Sequence, residues 1–523
     1  MVKEKKSDIL HILIVVLIAI QPLIDMDYLF YDFLNQFGLP RLSTVLRFIV
    51  IPCLILWVFF KRDTNKKKTV IAVILYGIAL AIYFVLHTKQ AIALYPRLDL
   101  TENFYFNTWQ ELTYVLTMVI PFFIIYLCYQ ETFALDDVKY IVYFLSGFVS
   151  ILIFIGDLYV FANSTYYGKT VGNIFTWFNG IYTGYHPRTL ASKFFFNEGN
   201  TIGILLFMLL PLLYYFLSIS TNRKERIWVT ILIFIQSLSM QMLATRVATY
   251  GAIAVPVLFL LLSFVDQFLL SKEKVKKSTI ITCVIATILF AAILDFTPAI
   301  QNQKVDAKND VALLHNGMAE LGALEMEAGK DLIPGTPEYI NFYVYMFETY
   351  GINARYIQSV PSMYYTEYYS YQHDPKYWCD VCFMPVFDRV SGRQIETIFF
   401  NYKYQKLTPL EKFLGMGYST FMNGSIVLEQ DFKQQVYTLG YIGTLLCVVP
   451  WIVVLVYGLY EFIRHPKQLF TLKTMTMAIA IGCGLGSAWL SGHVLDQIVT
   501  SSFMAFLVAL LLKEIKEVKC ALQ

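Results

Sequence analysis

The sequence predicts an all-α polytopic membrane protein with about twelve transmembrane helices and one large extracytoplasmic loop between the ninth and tenth. Three observations lead there. The chain is 57% hydrophobic and only 15% charged, against about 25% charge in a soluble domain, and its mean hydropathy is +0.55. Apolar runs of roughly 20 residues recur along it, the length of a membrane-crossing helix; a β-barrel would show ~10-residue alternating segments instead. Finally, Lys and Arg collect in clusters that alternate with the runs. The formal net charge of +3 matters less than where the charges lie, and no nucleic-acid partner is expected.

Taken in order, the apolar spans cover 9–29, 43–60, 69–87, 109–129, 138–161, 199–219, 226–244, 247–265, 278–296, 435–460, 472–490 and 493–512. The first follows Lys3, Lys5 and Lys6 like a signal peptide, but it lacks a small-residue cleavage site and is read as an uncleaved first helix. Basic clusters at 61–68, 223–226, 272–277, 464–473 and 513–519, with the weaker Lys139, fall on the same side if both termini are cytoplasmic. The expectation is thus a multi-pass protein of the cell membrane in three parts. Residues 1–296 form a bundle of helices 1–9, residues 297–434 an extracellular, partly helical loop, and residues 435–523 helices 10–12 with a cytoplasmic tail.

The 297–434 insert is too rich in Tyr, Phe and Trp for a disordered linker. Residues 337–356 and 388–404 read as helices. Tyr364, Tyr365, Tyr368, Tyr369 and Tyr371 are expected either to pack on sugar rings or, more often, to anchor the loop at headgroup level. Six of the eight cysteines lie in or beside apolar runs as packing residues. Cys379 and Cys382 stand in the insert without a second pair, and outside the cytoplasm that spacing favours a local disulfide over zinc.

Charges at the edges of spans are functional candidates. Arg246 starts span 8 and Arg47 begins span 2, while Arg97 and Arg188 lie in outer connections. A guanidinium fits a diphosphate bidentately, and a snorkelling arginine is the plainer alternative. Glu111 and Glu198 enter spans 4 and 6 and can equally be helix caps. His493 begins span 12. Asp25 and Asp27 form an acidic pair after span 1, either solvated at the interface or ligating a metal.

Short motifs then carry a resemblance. Gln21-Pro22-Leu23-Ile24-Asp25 followed by Arg47, the stretch FFFNEGNTIG at 194–203, Ala244-Thr245-Arg246, Ser391-Gly392-Arg393, Leu414-Gly415-Met416-Gly417 and Leu439-Gly440-Tyr441-Ile442-Gly443 occur in that order. Over nearly the whole chain this layout resembles the superfamily of O-antigen ligases and Wzy-type O-antigen polymerases, in its Gram-positive-like form, which implies a GT-C-like bundle. Ligases of that family carry a His-Asn pair about eleven residues before the first glycine of the closing motif. Here Glu429 lies eleven residues before Gly440, followed by Gln430 and Asp431. A carboxylate in place of the histidine points away from a lipopolysaccharide core ligase and toward a polymerase.

The resemblance implies a glycosyltransferase of capsule or cell-wall polysaccharide synthesis, with no cofactor and no metal. Its donor is an undecaprenyl-diphosphate-linked oligosaccharide in the membrane lipid, and its partners include a chain-length regulator or other assembly proteins. Glu429, ahead of Asp431, is the expected base. Arg246 and Arg393, supported by Arg47, are expected to hold the diphosphate, with Glu198, Glu111, His493, Arg188 and Arg97 as further substrate contacts. The alternatives are ligase-like transfer of finished glycan, a metal-dependent glycosyltransferase using Asp25 and Asp27, and a lipid-linked oligosaccharide flippase.

Overall fold

The structure, a computed structural model, describes residues 8–37, 39–178, 185–269, 275–314, 318–389 and 391–523. Lys3, Lys5 and Lys6, and the first part of the basic cluster at 272–277, lie outside the described residues. The described chain is helical and contains no strand beyond an isolated bridge between Asn163 and Lys169. The main helices are α1 (Ile9–Ala19), α2 (Leu42–Lys61), α3 (Lys66–Leu98), α4 (Thr108–Gln130), α5 (Leu135–Leu158), α6 (Gly199–Ile219), α7 (Arg223–Met242), α8 (Arg246–Phe264) and α9 (Lys277–Ile293). They continue with α10 (Pro337–Met346), α11 (Pro375–Phe383), α12 (Gly392–Tyr404), α13 (Tyr418–Asn423), α14 (Asp431–Thr438), α15 (Gly440–Cys447), α16 (Val449–Arg464), α17 (Leu472–Leu490) and α18 (Ile498–Leu522).

Among the described residues eight helices are long and apolar enough to cross a membrane, or up to ten if each of two bent pairs counts as one span. The bent pairs are α1 with 21–34, at 60°, and α15 with α16, at 47°. Prolines explain both bends. Pro22 starts the second half of the first pair. In the second, Pro450 has no N–H to give the Leu446 carbonyl, and the Tyr76 hydroxyl donates to that carbonyl instead, at 3.0 Å. The remaining two of the expected twelve spans, α7 and α17, are continuous helices that fall short in apolarity. In α7 the cause is visible. Gln236, Ser237, Ser239 and Gln241 are fully buried. Gln236 Nε2 donates to the Leu206 carbonyl at 2.8 Å, Ser239 Oγ to the Ser150 carbonyl at 2.8 Å and Gln241 Nε2 to the Phe290 carbonyl at 3.0 Å. These polar groups tie α7 to α6, α5 and α9, as polar side chains do between helices in membrane bundles.

The chain divides into two compact units. The first comprises 1–74, 116–302 and 449–523. Its centre is α6, buried along nearly its whole length and packed by α5, α7, α8, α9, α17 and α18. Where α6 meets the start of α8 there is no room for a side chain: a Cβ on Gly203 would stand 2.8 Å from Thr245 Oγ1 and 3.1 Å from the Ala248 Cβ.

The second unit comprises 75–115 and 303–448, so it takes in more chain than the 297–434 insert. Its core is aromatic, with Phe104, Phe347, Tyr369, Trp378, Phe399, Phe400 and Phe421 buried together. Tyr369 belongs to this core, and Tyr364, Tyr365, Tyr368 and Tyr371 pack against it. The tyrosine-rich stretch therefore serves first as a packing element, holding the insert's own fold, rather than as a sugar platform or a headgroup anchor. Lys403 is drawn into the same core, donating to the Leu98 and Asp99 carbonyls at 2.9 and 2.8 Å and to Tyr369 Oη at 2.7 Å. Burial pushes its pKa down to about 7. The helix expected at 337–356 runs as α10 and continues as a wider π-turn over 347–353. That expected from 388 begins instead at Gly392, because Ser391 and Gln394 form a reciprocal cap.

Candidate functional site

Of the sequence-predicted residues, the second unit brings two together. Arg393 Nε donates to Glu429 Oε2 in an ion pair. Both side chains are about one-third exposed, 35% and 34%, so the pair can meet a ligand. The cap at Ser391 sets the start of α12 and thereby the direction of Arg393. One turn later on the same helix stands Glu396, which the sequence reading passed over although Arg393-x-x-Glu396 is the i, i+3 spacing of one helical face. Glu396 accepts from Tyr364 Oη at 2.7 Å. Burial, partly offset by that hydrogen bond, pushes its pKa up to about 7. Asp431, the second candidate base, is only 1% exposed at the first position of α14. Its place is a buried helix start, and Glu429 is the accessible carboxylate of the two.

The glycine motifs explain how Glu429 is delivered. Met416 N and Gly417 N donate to the Tyr437 and Thr438 carbonyls at 3.0 and 2.9 Å. This pins the loop after α12 to the end of α14, the helix that follows Glu429. Glu111 anchors the same loop from α4. It is fully buried, accepts from Tyr418 N at 3.0 Å and Ser419 N at 2.7 Å, and lies 2.9 Å from His87 Nε2. Glu111 is thus an architectural cap of α13, not a substrate contact. Arg97 is likewise engaged, in an ion pair with Glu411.

The first unit gathers a different polar cluster. Arg47 is buried, 6% exposed; its guanidinium donates to Gln21 Oε1 at 3.0 Å and to Asp25 Oδ1 at 3.2 Å. Arg41, which the sequence reading did not single out, donates to Asp27 Oδ1 at 2.6 Å and to Asp25 Oδ1 at 3.1 Å. Asp25 and Asp27 are thereby neutralised by two guanidiniums, an arrangement suited to holding the chain after α1 rather than a cation. Arg47 is correspondingly a partnered structural charge, not an open diphosphate clamp. Asn197 Nδ2 reaches Asp25 Oδ2 at 3.4 Å, and Gln497 Nε2 reaches Glu198 Oε1 at 3.4 Å. Burial raises the Glu198 pKa, against the pull of His493 and helped by Asp496 and Asp25. His493 Nδ1 stands 3.7 Å from Asp496 Oδ2. Glu198 and His493 therefore belong to one cluster, as candidates for substrate contact, whereas Arg188 is bound to Asn302 Oδ1 at 3.0 Å and lies over the Tyr166 ring.

Arg246 differs from Arg41, Arg47 and Arg188. It is exposed, it follows the Thr245 cap of α8, and no carboxylate pairs with it among the described residues. Cys379 and Cys382 are free thiols, one turn apart on α11 and buried in the aromatic core. Cys379 Sγ donates to the Tyr343 carbonyl at 3.2 Å, so the expected disulfide is replaced by packing. Burial pushes the Cys382 thiol up to about 12.

A family model described as O-antigen ligase like membrane protein matches residues 4–518. No curated protein and no solved structure gives a significant match. A match over nearly the full length agrees with the apolar helices and with the ordered motifs, and the chain belongs to the O-antigen ligase-like family of membrane proteins.

Proposed function

We propose that this multi-pass membrane protein is an inverting, metal-independent polysaccharide polymerase. It moves a growing glycan from an undecaprenyl-diphosphate donor to a hydroxyl of a lipid-linked repeat unit on the outer face of the membrane, with both termini cytoplasmic. Membership of the O-antigen ligase-like family supports glycan transfer in general. The observation that carries the finer reading is the half-open Arg393–Glu429 pair, with a carboxylate where the ligases it resembles have histidine.

In this reading the acceptor hydroxyl oxygen attacks the anomeric carbon and the bond from that carbon to the diphosphate oxygen breaks. The hydroxyl proton passes to the Glu429 carboxylate, and the lipid diphosphate leaves as an anion held by guanidinium. Arg246, exposed and without a carboxylate partner among the described residues, suits that charge; Arg393 Nε donates to Glu429 Oε2 and orients it. A general base of this kind is worth ~10²–10⁴ in rate. The test is the lipid-linked glycan profile of a deletion strain rescued with wild type or with Glu429→Gln. The variant should accumulate single lipid-linked units and make no polymer, and chelation of divalent ions should leave wild-type polymerisation unchanged. Polymer of normal length from Glu429→Gln would overturn the assignment of the base.

A further inference from the structure

Helices α5 and α7 pack against each other but leave an apolar groove of about 360 Å³ between them. Its walls are Tyr143, Gly147 and Ile151 of α5 and Trp228, Ile231 and Ile235 of α7. These residues recur every three or four positions, so each set is one stripe of its helix. Gly147 keeps the groove deep, because a Cβ there would meet only Leu232 Cδ1, at 3.8 Å. Trp228, Ile231 and Ile151 are exposed, at 68%, 44% and 41%, and in a membrane bundle such a face meets lipid tails. From Glu225 to Ile235 the groove follows α7 for about 15 Å, half of the roughly 30 Å hydrocarbon core. It is as long as the acyl region of one leaflet.

One end of the groove is charged. Glu225 is engaged there by Lys139 Nζ at 2.8 Å, Tyr143 Oη at 3.2 Å and Ser220 Oγ at 2.5 Å, so Lys139 and Glu225 neutralise each other. Lys224 is exposed and has no carboxylate partner among the described residues. It precedes Trp228 by four residues and Ile231 by seven, which puts it on their stripe. Arg223 and Arg226 flank it, also without a carboxylate partner among the described residues. Against these three cations stands Asp136, which acts electrostatically on Tyr143. The balance at this end is positive.

We propose that the groove is a binding site for an anionic phospholipid of the cytoplasmic leaflet. One acyl chain lies between α5 and α7, and the headgroup phosphate sits on Lys224, with Arg223 and Arg226 beside it. Trp228 stands where chain and headgroup meet, the level that tryptophan favours in membranes. The lipid fills the space the two helices leave open, on the face of the membrane opposite to the proposed glycan transfer, and the site requires nothing of that reaction.

The test uses Trp228 as its reporter. Full-length protein, wild type or Trp228→Phe, is reconstituted in phosphatidylcholine vesicles containing rising fractions of phosphatidylglycerol brominated on its acyl chains. The difference between the two proteins is the Trp228 fluorescence. Its quenching should need a mole fraction roughly fivefold lower than with brominated phosphatidylcholine, the preference expected of one cation for an anionic lipid. Lys224→Gln should remove most of that difference. Gly147→Leu, which fills the groove, should do the same, and the exposed Lys224 decides the question if Gly147→Leu does not fold. Equal quenching by the two lipids in wild type, or an undiminished preference in Lys224→Gln, overturns the site. Displacement of the brominated lipid by undecaprenyl diphosphate at a lower mole fraction than by unlabelled phosphatidylglycerol also overturns it, and gives the groove to a polyprenyl lipid.

Discussion

Gly415 and Gly440 lie backbone to backbone: a Cβ built on Gly415 would stand 2.4 Å from Gly440 N, and one built on Gly440 would stand 2.4 Å from Gly415 N. Both also have positive φ, 81° and 70°, a region that side-chain-bearing residues enter at a cost. The two closing glycine motifs are therefore one clasp. Gly415→Ala should destabilise the protein by at least about 1–3 kcal/mol from backbone strain alone, with the steric overlap adding to it. It should also reduce polymer by displacing the segment that carries Glu429. Thermal unfolding of the detergent-solubilised protein checks this, and an unchanged melting temperature would show that the clasp has slack.

Glu111 and His87 form the buried pair beneath that clasp. Removing one member of such a pair leaves the other uncompensated. Glu111→Ala would also strand the N–H groups of Tyr418 and Ser419, whose acceptor it is. The expected loss is about 3–5 kcal/mol. Glu111→Gln, which keeps one carbonyl acceptor, should lose less. Denaturant unfolding of the two variants should rank them in that order, and limited proteolysis should open residues 414–424 in the Ala variant first. Equal stabilities would mean that Glu111 is not the acceptor that matters.

Much of this was legible before the fold was known, and the limits have physical reasons. Apolar length identified the helices, since membrane solvation leaves few other solutions. A helix over 388–404 could be read from the sequence, but its start at Gly392 is set by the reciprocal cap of Ser391 and Gln394 in the structure. Arg393 and Glu429 could each be chosen from the sequence, but not their pairing, because it depends on how α12 and the 424–430 segment fold against the aromatic core. The same holds for Arg47. Its partners Gln21 and Asp25 lie 26 and 22 residues away, and a lone span-edge arginine looks identical whether it is free or paired. The polar α7 illustrates the converse. Buried Gln236 and Gln241 lower its apolarity, and only the carbonyls of its neighbours reveal why they are tolerated.

Cys379 and Cys382 provide a test of the insert's packing. Both thiols are buried, and burial pushes both upward in pKa, so little thiolate is present at neutral pH. Peptide-mapped maleimide labelling of the native protein should spare both positions, label Cys520, which is exposed, and reach Cys379 and Cys382 only after denaturation. Reductant should leave polymerisation unchanged. Recovery of a linked Cys379–Cys382 peptide from native protein would contradict the packed-thiol arrangement.

Arg246 separates a phosphate-binding guanidinium from a charge that merely reaches the interface. If it only snorkels, lysine serves equally, since both side chains place a cation at the end of a long apolar stem. If it holds the leaving diphosphate, lysine keeps the charge but loses the planar fork that grips two oxygens at once. A charge-assisted hydrogen bond is worth ~1.5–3 kcal/mol, so losing one in the transition state should slow transfer by roughly tenfold or more. Arg246 is exposed, and its substitution touches no carboxylate partner among the described residues, so stability should stay near wild type. Arg246→Lys should therefore fold normally and polymerise poorly, measured as polymer formed from lipid-linked units at equal protein. Wild-type rates in Arg246→Lys would return the residue to the snorkelling role and leave the diphosphate to other donors.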